Sequence, residues 1–492
     1  MDGRLAACLV VSLVLLSGCA PLVGKIEPGR PFSCQEFLET LDRAVVRAGV
    51  RNASFHPVPG FHNLRTNRFL SALGQRLEEP GARQAWIEEM ARLGLLAMDK
   101  EISNLPDELM LSFDGHGSGT VSRKELSQRV RQCSRLTPSQ MEEAGIASLV
   151  AEARVPDEYS FFQSALGLYP LAAFPVALLT LKARRDMLRW FARPLEELPV
   201  EGRLVAYLPA EASGLEEGAL EELVQSSTAN PLGIPILDQE VERQVVMALA
   251  PVLVQDQATH GDALGRIHWG EGGLAVDGRM PTVYYYSSLA FMGGVPVLQV
   301  NYVIWYSQRG GKTTPWFERG PMDGLTLRFT LDPGGRLAMV DVMNNCGCYH
   351  FFSPREGLVN QARSQVPGFG PLVPQHLPNL SHGDRLGFRV SSGRHHVQRL
   401  FVARETVGQI QYYELVPYEV LEALPRDAQR TESVFDAFGI LKGSERAEQF
   451  LLFSMGIPRI GSMRQRGHHA IDFFQRAHFD DPYLFDQNFV FR

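Results

Sequence analysis

The chain runs to 492 residues without a long basic run, an internal repeat or a low-complexity tract. Lysine and arginine number 48 against 55 aspartate and glutamate, a formal net charge of -7. Nucleic-acid binders need a basic footprint, so no such partner is expected. The signatures HExxH, GxSxG, GxGxxG and the P-loop are missing too, which leaves the common hydrolase and nucleotide-binding classes without support. The longest internal apolar run, Ala165 to Leu181, reaches only the lower limit of a membrane span and contains Pro170 and Pro175. Lys182, Arg184 and Arg185 follow it, so it reads as a helical segment that is buried or in loose contact with a membrane.

Cysteine is scarce, and its six positions are informative. Cys8 falls in a leader, and Cys19 directly follows it. Arg4 supplies a weak positive region, Leu5 to Leu16 is an apolar stretch too short to span a bilayer comfortably, and Leu16-Ser17-Gly18-Cys19 follows. This pattern resembles the lipobox of bacterial lipoproteins, which implies cleavage before Cys19 and lipidation of that residue. Acyl chains would then hold the protein at the membrane, since each buried CH2 contributes about 0.8 kcal/mol. Ala20 in place of Asp favours the outer membrane, facing the periplasm. In that oxidising compartment Cys34, Cys133, Cys346 and Cys348 remain, and Cys34 with Cys133 is the favoured disulfide.

The expected organisation is a signal peptide over 1–18, a lipidated tether over 19–33, a helical region over 34–200 and an α+β domain over 201–492. Phe37, Leu38 and Leu41, and then Ile87, Met90, Ala91 and Leu95, recur at helical spacing. Within this region residues 114–125, DGHGSGTVSRKE, resemble an EF-hand calcium loop. Asp114, Ser118, Thr120, Ser122 and Glu125 would be the ligands, with Gly119 at the sharp turn. His116 stands where the family has Asp or Asn, so any calcium affinity is expected to be weak. A Gly-rich surface turn is the alternative.

The densest signal lies between Val295 and Phe352. Three strand-like runs, VPVLQVNYVIWYSQR, DGLTLRFTLDPGGRLAMVDV and NNCGCYHFF, are separated by turn residues. Leu325, Leu327 and Phe329 alternate with Thr326, Arg328 and Thr330, which predicts one buried face. Asp332-Pro333-Gly334-Gly335 predicts a hairpin. A largely antiparallel sheet follows, with further strands at Leu386 to Val402 and Tyr412 to Val420 and a return to helix over Asp436 to Phe453. The motifs LGLYPL, LQVNYVIWY, MDGLTLRFTL, CGCYHFF, MRQRGHH and HFDDP resemble a family of proteobacterial envelope proteins that brings no activity with it.

Cys346, Cys348 and His350 are expected at a strand end beside the strand holding Asn301, with His395 or His396 on a neighbouring strand. Four readings stay open. Thiolates and imidazole suit zinc or Cu(I). A strained Cys346–Cys348 disulfide is a second reading. A cysteine nucleophile with His350 or His395 as base, in an envelope hydrolase or metal-dependent enzyme, is a third. A packed strand end without chemistry is the fourth. Gln299, Asn301 and Tyr302 could line a polar pocket or face solvent, and His468, His469 and His478 with Asp480 and Asp481 could bind metal or form an ordinary polar surface. A binding or structural role leads, with the protein or small-molecule partner open. Cys19→Ser tests the anchor: the variant should leave the membrane fraction or stay unprocessed, and unchanged partitioning and processing would contradict the lipoprotein reading.

Overall fold

A computed structural model describes residues 33–110, 113, 121–134, 143–211, 215–363, 368–404 and 408–492. Cys19 and the calcium-loop positions Asp114, Ser118 and Thr120 lie outside the described residues. The architecture is α+β: a helical N-terminal region is followed by a ten-stranded, mixed, largely antiparallel sheet that curls.

The N-terminal region forms helices where its sequence both starts and stops them. Helix α1, Cys34–Ala48, begins with a capping box in which Ser33 and Glu36 satisfy each other's backbone N–H. It ends at Gly49, whose φ of 66° suits a residue without a Cβ. Phe37, Leu41 and Val45 bury one stripe of α1 against Met98 and Ile102 of α2, Pro80–Asn104, and Leu126 and Val130 of α3, Arg123–Ser134. The Cys34–Cys133 disulfide joins the first turn of α1 to the end of α3, with Cα atoms 5.2 Å apart. It closes a separation of 99 residues, and constraining an unfolded loop of that size contributes roughly 2–5 kcal/mol.

The region is not wholly helical. His56–Val58 pairs antiparallel with Phe61–Thr66 around Pro59-Gly60. Pro80 starts a helix, whereas Pro57 and Pro59, whose place in a helical region predicts helix breaks, belong to this hairpin. Just before it, a buried polar knot ties the region to the C-terminal part of the chain. Asn52 Nδ2 donates to Glu422 at 2.8 Å, Arg466 pairs with the same carboxylate at 2.8 Å, and Gln465 Nε2 donates to Ser54 Oγ at 2.7 Å.

The sheet consists of β1 (Arg203–Pro209), β2 (Val252–Gln257), β3 (Thr282–Met292), β4 (Val295–Arg309), β5 (Gly320–Leu331), β6 (Leu337–Asn344), β7 (Phe351–Pro354), β8 (Leu386–Val390), β9 (Val397–Val402) and β10 (Gln409–Pro417). Their spatial order is β7-β6-β5-β4-β3-β10-β1-β2-β8-β9. Pairing is antiparallel throughout, except that β10 runs parallel to both β1 and β3, and β8 parallel to β2. The hairpin expected at Asp332 to Gly335 joins β5 to β6.

One face of β4 to β6 carries Val300, Tyr302, Ile304, Leu325, Leu327, Phe329, Val340 and Val342 into the main core. Met187 and Phe191, from helix α5 (Tyr169–Phe191), cover it together with Val245 and Val246 of helix Gln239–Leu249. Helix α4, Phe161–Leu166, precedes α5. The alternation in β5 is present, but its second face is buried as well. Thr326, Arg328 and Thr330 lie under the irregular C-terminal tail, where Phe479 and Phe485 pack over the Arg328 guanidinium. That tail also departs from expectation upstream: between Asp436 and Phe453 only Glu448–Leu451 is α-helical.

Candidate functional site

β6 stops at Asn344, and the chain turns through Asn345 to His350 before β7. The cysteines therefore occupy a hairpin turn rather than the end of a strand. Asn344 N–H donates to the Cys348 carbonyl at 3.0 Å and Gly347 N–H donates to the Asn344 carbonyl at 2.7 Å. Asn345 fixes the turn from below, accepting from Thr326 Oγ1 at 2.7 Å and donating through Nδ2 to the Ile304 carbonyl at 3.2 Å. Gly347 has φ +92°, and a Cβ there would collide with the Ala470 carbonyl oxygen, so the turn needs glycine. The strand holding Asn301 is not adjacent, because β5 lies between β4 and β6.

Cys346 and Cys348 are free thiols on either side of Gly347. The hydrogen bond from Cys348 lowers the Cys346 thiol to about 7, burial opposes this, and the nearby Arg446 and Arg309 charges assist it. Cys348 is pushed up by the same hydrogen bond and by burial. One proton thus leaves the pair readily and the other is retained.

A cluster of buried charges lies beside the turn. The Asp323 carboxylate accepts from Arg309 at 3.3 Å, Arg446 at 3.1 Å and His395 Nδ1 at 2.7 Å. Burial would raise Asp323, but the two guanidinium charges and the His395 hydrogen bond outweigh it and hold the carboxyl well below the usual range. Glu318 accepts from Arg309 at 2.9 Å and from Arg394 at 3.0 Å. Glu448, by contrast, has no arginine bonded to it among the described residues: burial, followed by the Cys346 charge, pushes its carboxyl up to about 8.

The histidines do not converge on the cysteines. His395 donates its second nitrogen to Asp262 at 3.2 Å and stacks on Tyr306, ring centroids 3.8 Å apart. Burial works against its charge, but the two carboxylates raise it overall. With both nitrogens engaged it cannot act as ligand or base for the thiols. His396 Nε2 lies 3.1 Å from Arg309 Nη2, and burial and the arginine charges lower it. His350 Nε2 donates to Asp341 at 2.8 Å, and Arg328 grips the same carboxylate at 2.9 and 2.6 Å. In the tail, His468 bonds Glu158 at 2.9 Å, His478 pairs with Asp157 at 3.1 Å, Asp480 pairs with Arg68 at 3.2 Å and Asp481 accepts from the Tyr483 N–H at 2.9 Å. His469 is buried and lowered to about 3, chiefly by desolvation. Among the described residues no group of three or more His, Cys, Asp and Glu is placed to hold a metal ion. His350, His395, His468 and His478 have each found a local carboxylate, whereas His396 Nδ1 and His469 Nε2 are buried without a hydrogen-bond partner among the described residues.

The remaining candidates are structural in their contacts. Gln299 and Asn301 are buried on the tail-covered face, where Gln299 Nε2 donates to Thr330 Oγ1 at 3.2 Å and Asn301 Nδ2 to Ser288 Oγ at 2.9 Å. Tyr302 points to the opposite face and donates to the Val246 carbonyl at 2.6 Å. They form neither a pocket nor a solvent-facing side. Glu125 bonds the Ser122 N–H and hydroxyl, both at 2.8 Å, at the start of α3.

The turn opens onto a cavity of about 670 Å³. One wall is α5, through Val176, Leu179, Ala183 and Trp190. Ile457, Ile460, Leu372 and Phe474 add apolar lining, and Cys346, Cys348, Tyr349, His350, Glu318, Arg394 and Glu448 supply a polar end. Outside the cavity, Leu171, Phe174 and Leu178 of α5 are 74%, 70% and 55% exposed, and Phe161, Phe162, Leu166 and Phe450 extend this apolar surface. Leu179 and Leu451 are exposed and also line the cavity, so surface and interior are continuous. The run Ala165 to Leu181 is thus half of a surface, not a buried segment, and among the described residues no helix is long and apolar enough to cross a membrane.

Sequence reasoning missed Arg309, Glu318, Asp323, Glu448 and the cavity. A signal existed for two of them: Arg309 and Asp323 are charges at the ends of long apolar strands, where burial forces pairing. Compared with protein-family models, curated proteins and solved structures, the chain matches none. The resemblance carried by CGCYHFF and its companions rests on those residues alone.

Glu448 gives a pH test. Its raised carboxyl contributes stability below about 4.5 that is lost as pH climbs to about 8. Glu448→Gln removes the loss. In denaturant titrations the variant should gain on wild type across that window, by roughly 2–4 kcal/mol at its top. Parallel stability curves would contradict the placement of Glu448.

Proposed function

We propose that the protein is a lipid-anchored component of the bacterial cell envelope that binds an amphipathic, acyl-chain-bearing molecule. The observation that carries this reading is the cavity under α5, whose apolar walls run out through Leu179 and Leu451 onto an exposed apolar face. Its volume lies within the range of small-molecule sites. An aliphatic tail fits against Ile457, Ile460, Leu372 and Phe474, and the headgroup meets Arg394, Tyr349 and His350 at the polar end.

The exposed face supports contact with the membrane from which such a ligand would come. Soluble proteins rarely leave a contiguous apolar patch of this kind uncovered. Lys182, Arg185 and Arg189 lie further along α5, where cations meet anionic headgroups favourably. The lipobox at Cys19 supports the outer membrane, facing the periplasm, as the location. Calcium at residues 114–125 remains part of the reading as a weak accessory site.

Titration of the full chain with a fluorescent long-chain fatty acid tests the cavity. Binding is expected with a dissociation constant on the order of 1–50 μM. Ala183→Trp, which fills the cavity from α5, should weaken it about tenfold or more while leaving thermal stability within about 1 kcal/mol. Equal binding by the variant, or none by wild type, would overturn the proposal.

A further inference from the structure

The ligand-binding reading makes no use of the two thiols at the polar end of the cavity. Their arrangement is specific. A regular strand would hold residues i and i+2 about 6.6 Å apart with no reason to approach. Here the turn closed by Asn344, and made possible by Gly347 at φ +92°, sets both cysteines on one cavity. Both residues line the cavity, Cys346 buried and Cys348 half-buried. Arg309 and Arg446 place positive charge next to Cys346, and among the described residues no third ligand joins the pair in a group that could hold a metal.

We infer that Cys346 and Cys348 form a redox-active dithiol, which exchanges with a small aliphatic disulfide admitted through the cavity and closes to an intramolecular disulfide. The Cys346 thiolate attacks one sulfur of the incoming disulfide R–S–S–R. The R–S bond partner leaves as a thiolate and takes up the proton that Cys346 released to solvent. Cys348 then loses its proton and attacks the Cys346 sulfur of the mixed disulfide. The second R–S– group leaves and is protonated in turn. Two protein thiols are oxidised to one disulfide, and one small disulfide is reduced to two thiols.

The roles of the pair are unequal. Cys346, hydrogen-bonded by Cys348 and facing two arginines, is the attacking sulfur, since only a thiolate is nucleophilic. Cys348, whose proton is retained, is the resolving sulfur and needs the first step to bring an electrophile to it. Gly347 is a positioning residue, because its backbone conformation sets both cysteines on the cavity. The inference stands independently of the fatty-acid reading, since it needs only the turn and access through the cavity.

The test is exchange between the full-length protein and bis(2-hydroxyethyl) disulfide, read by alkylation, peptide mapping and intact mass. In wild type, Cys346 and Cys348 should both lose reactivity toward iodoacetamide without retaining an adduct, and two equivalents of 2-mercaptoethanol should appear. The Cys34–Cys133 disulfide, mapped separately, should not change. Cys348→Ala should stop at a stable mixed disulfide on Cys346. It should also shift the pH midpoint of Cys346 alkylation upward from about 7, because the hydrogen bond that lowers it is gone. Cys346→Ala should react at Cys348 at least tenfold more slowly than wild type reacts at Cys346. Melting curves matching wild type confirm that the variants are folded. If folded wild type keeps both thiols alkylatable after treatment, while the urea-unfolded chain is oxidised, the inference fails. It also fails if wild type accumulates two separate mixed disulfides in place of the closed pair.

Discussion

The Asp323 carboxylate is the point on which the architecture of the site depends. It is fully buried, and a lone carboxylate in that position would cost several kcal/mol. Three donors offset the cost: Arg309 from the end of β4, Arg446 from the segment after β10, and His395 from the turn between β8 and β9. Meeting at one carboxylate at the start of β5, these distant parts of the chain must come together. Arg309 and Arg446 are thereby held beside Cys346, and Arg446 places Glu448, two residues on, at the cavity wall. The cluster fixes position more than it adds stability, since well-packed apolar residues would serve stability as well.

Helix α5 connects that cluster to the outside. Its period separates two apolar faces: Leu171, Phe174 and Leu178 turn outward, while Val176, Ala183, Met187 and Trp190 turn toward the cavity and the sheet. An ordinary amphipathic helix buries its one apolar stripe and exposes charge. A helix apolar on both sides, with only one side covered by protein, leaves the other for an apolar environment. The cavity and the exposed face therefore read as one device, because Leu179 and Leu451 belong to both.

Much of the sheet was legible in the sequence because its causes are local. β-branched and aromatic runs, the Asp332 to Gly335 turn and the alternation Leu325, Leu327, Phe329 each act over a few residues. The site was less legible because its causes are distant. Asp323 and Arg446 lie far apart in sequence, and no spacing rule pairs them. Cys-x-Cys-x-His suggests a ligand set, but Gly347 bends the chain and Asp341 takes His350, so the histidine is withdrawn from the sulfurs. His395 is withdrawn in the same way by Asp262 and Asp323. The buried second face of β5 was hidden for another reason: the tail that covers it has little regular secondary structure and shows no hydrophobic period.

The proposed ligand of the cavity under α5 is an acyl-chain molecule taken from the membrane. Native mass spectrometry of the protein extracted gently from envelope membranes would detect it. A non-covalent adduct should accompany the folded protein, release a lipid or fatty acid on activation, and be absent when Ala183→Trp is extracted in parallel. A wild-type spectrum at the bare protein mass, or an identical adduct on the variant, would contradict the account.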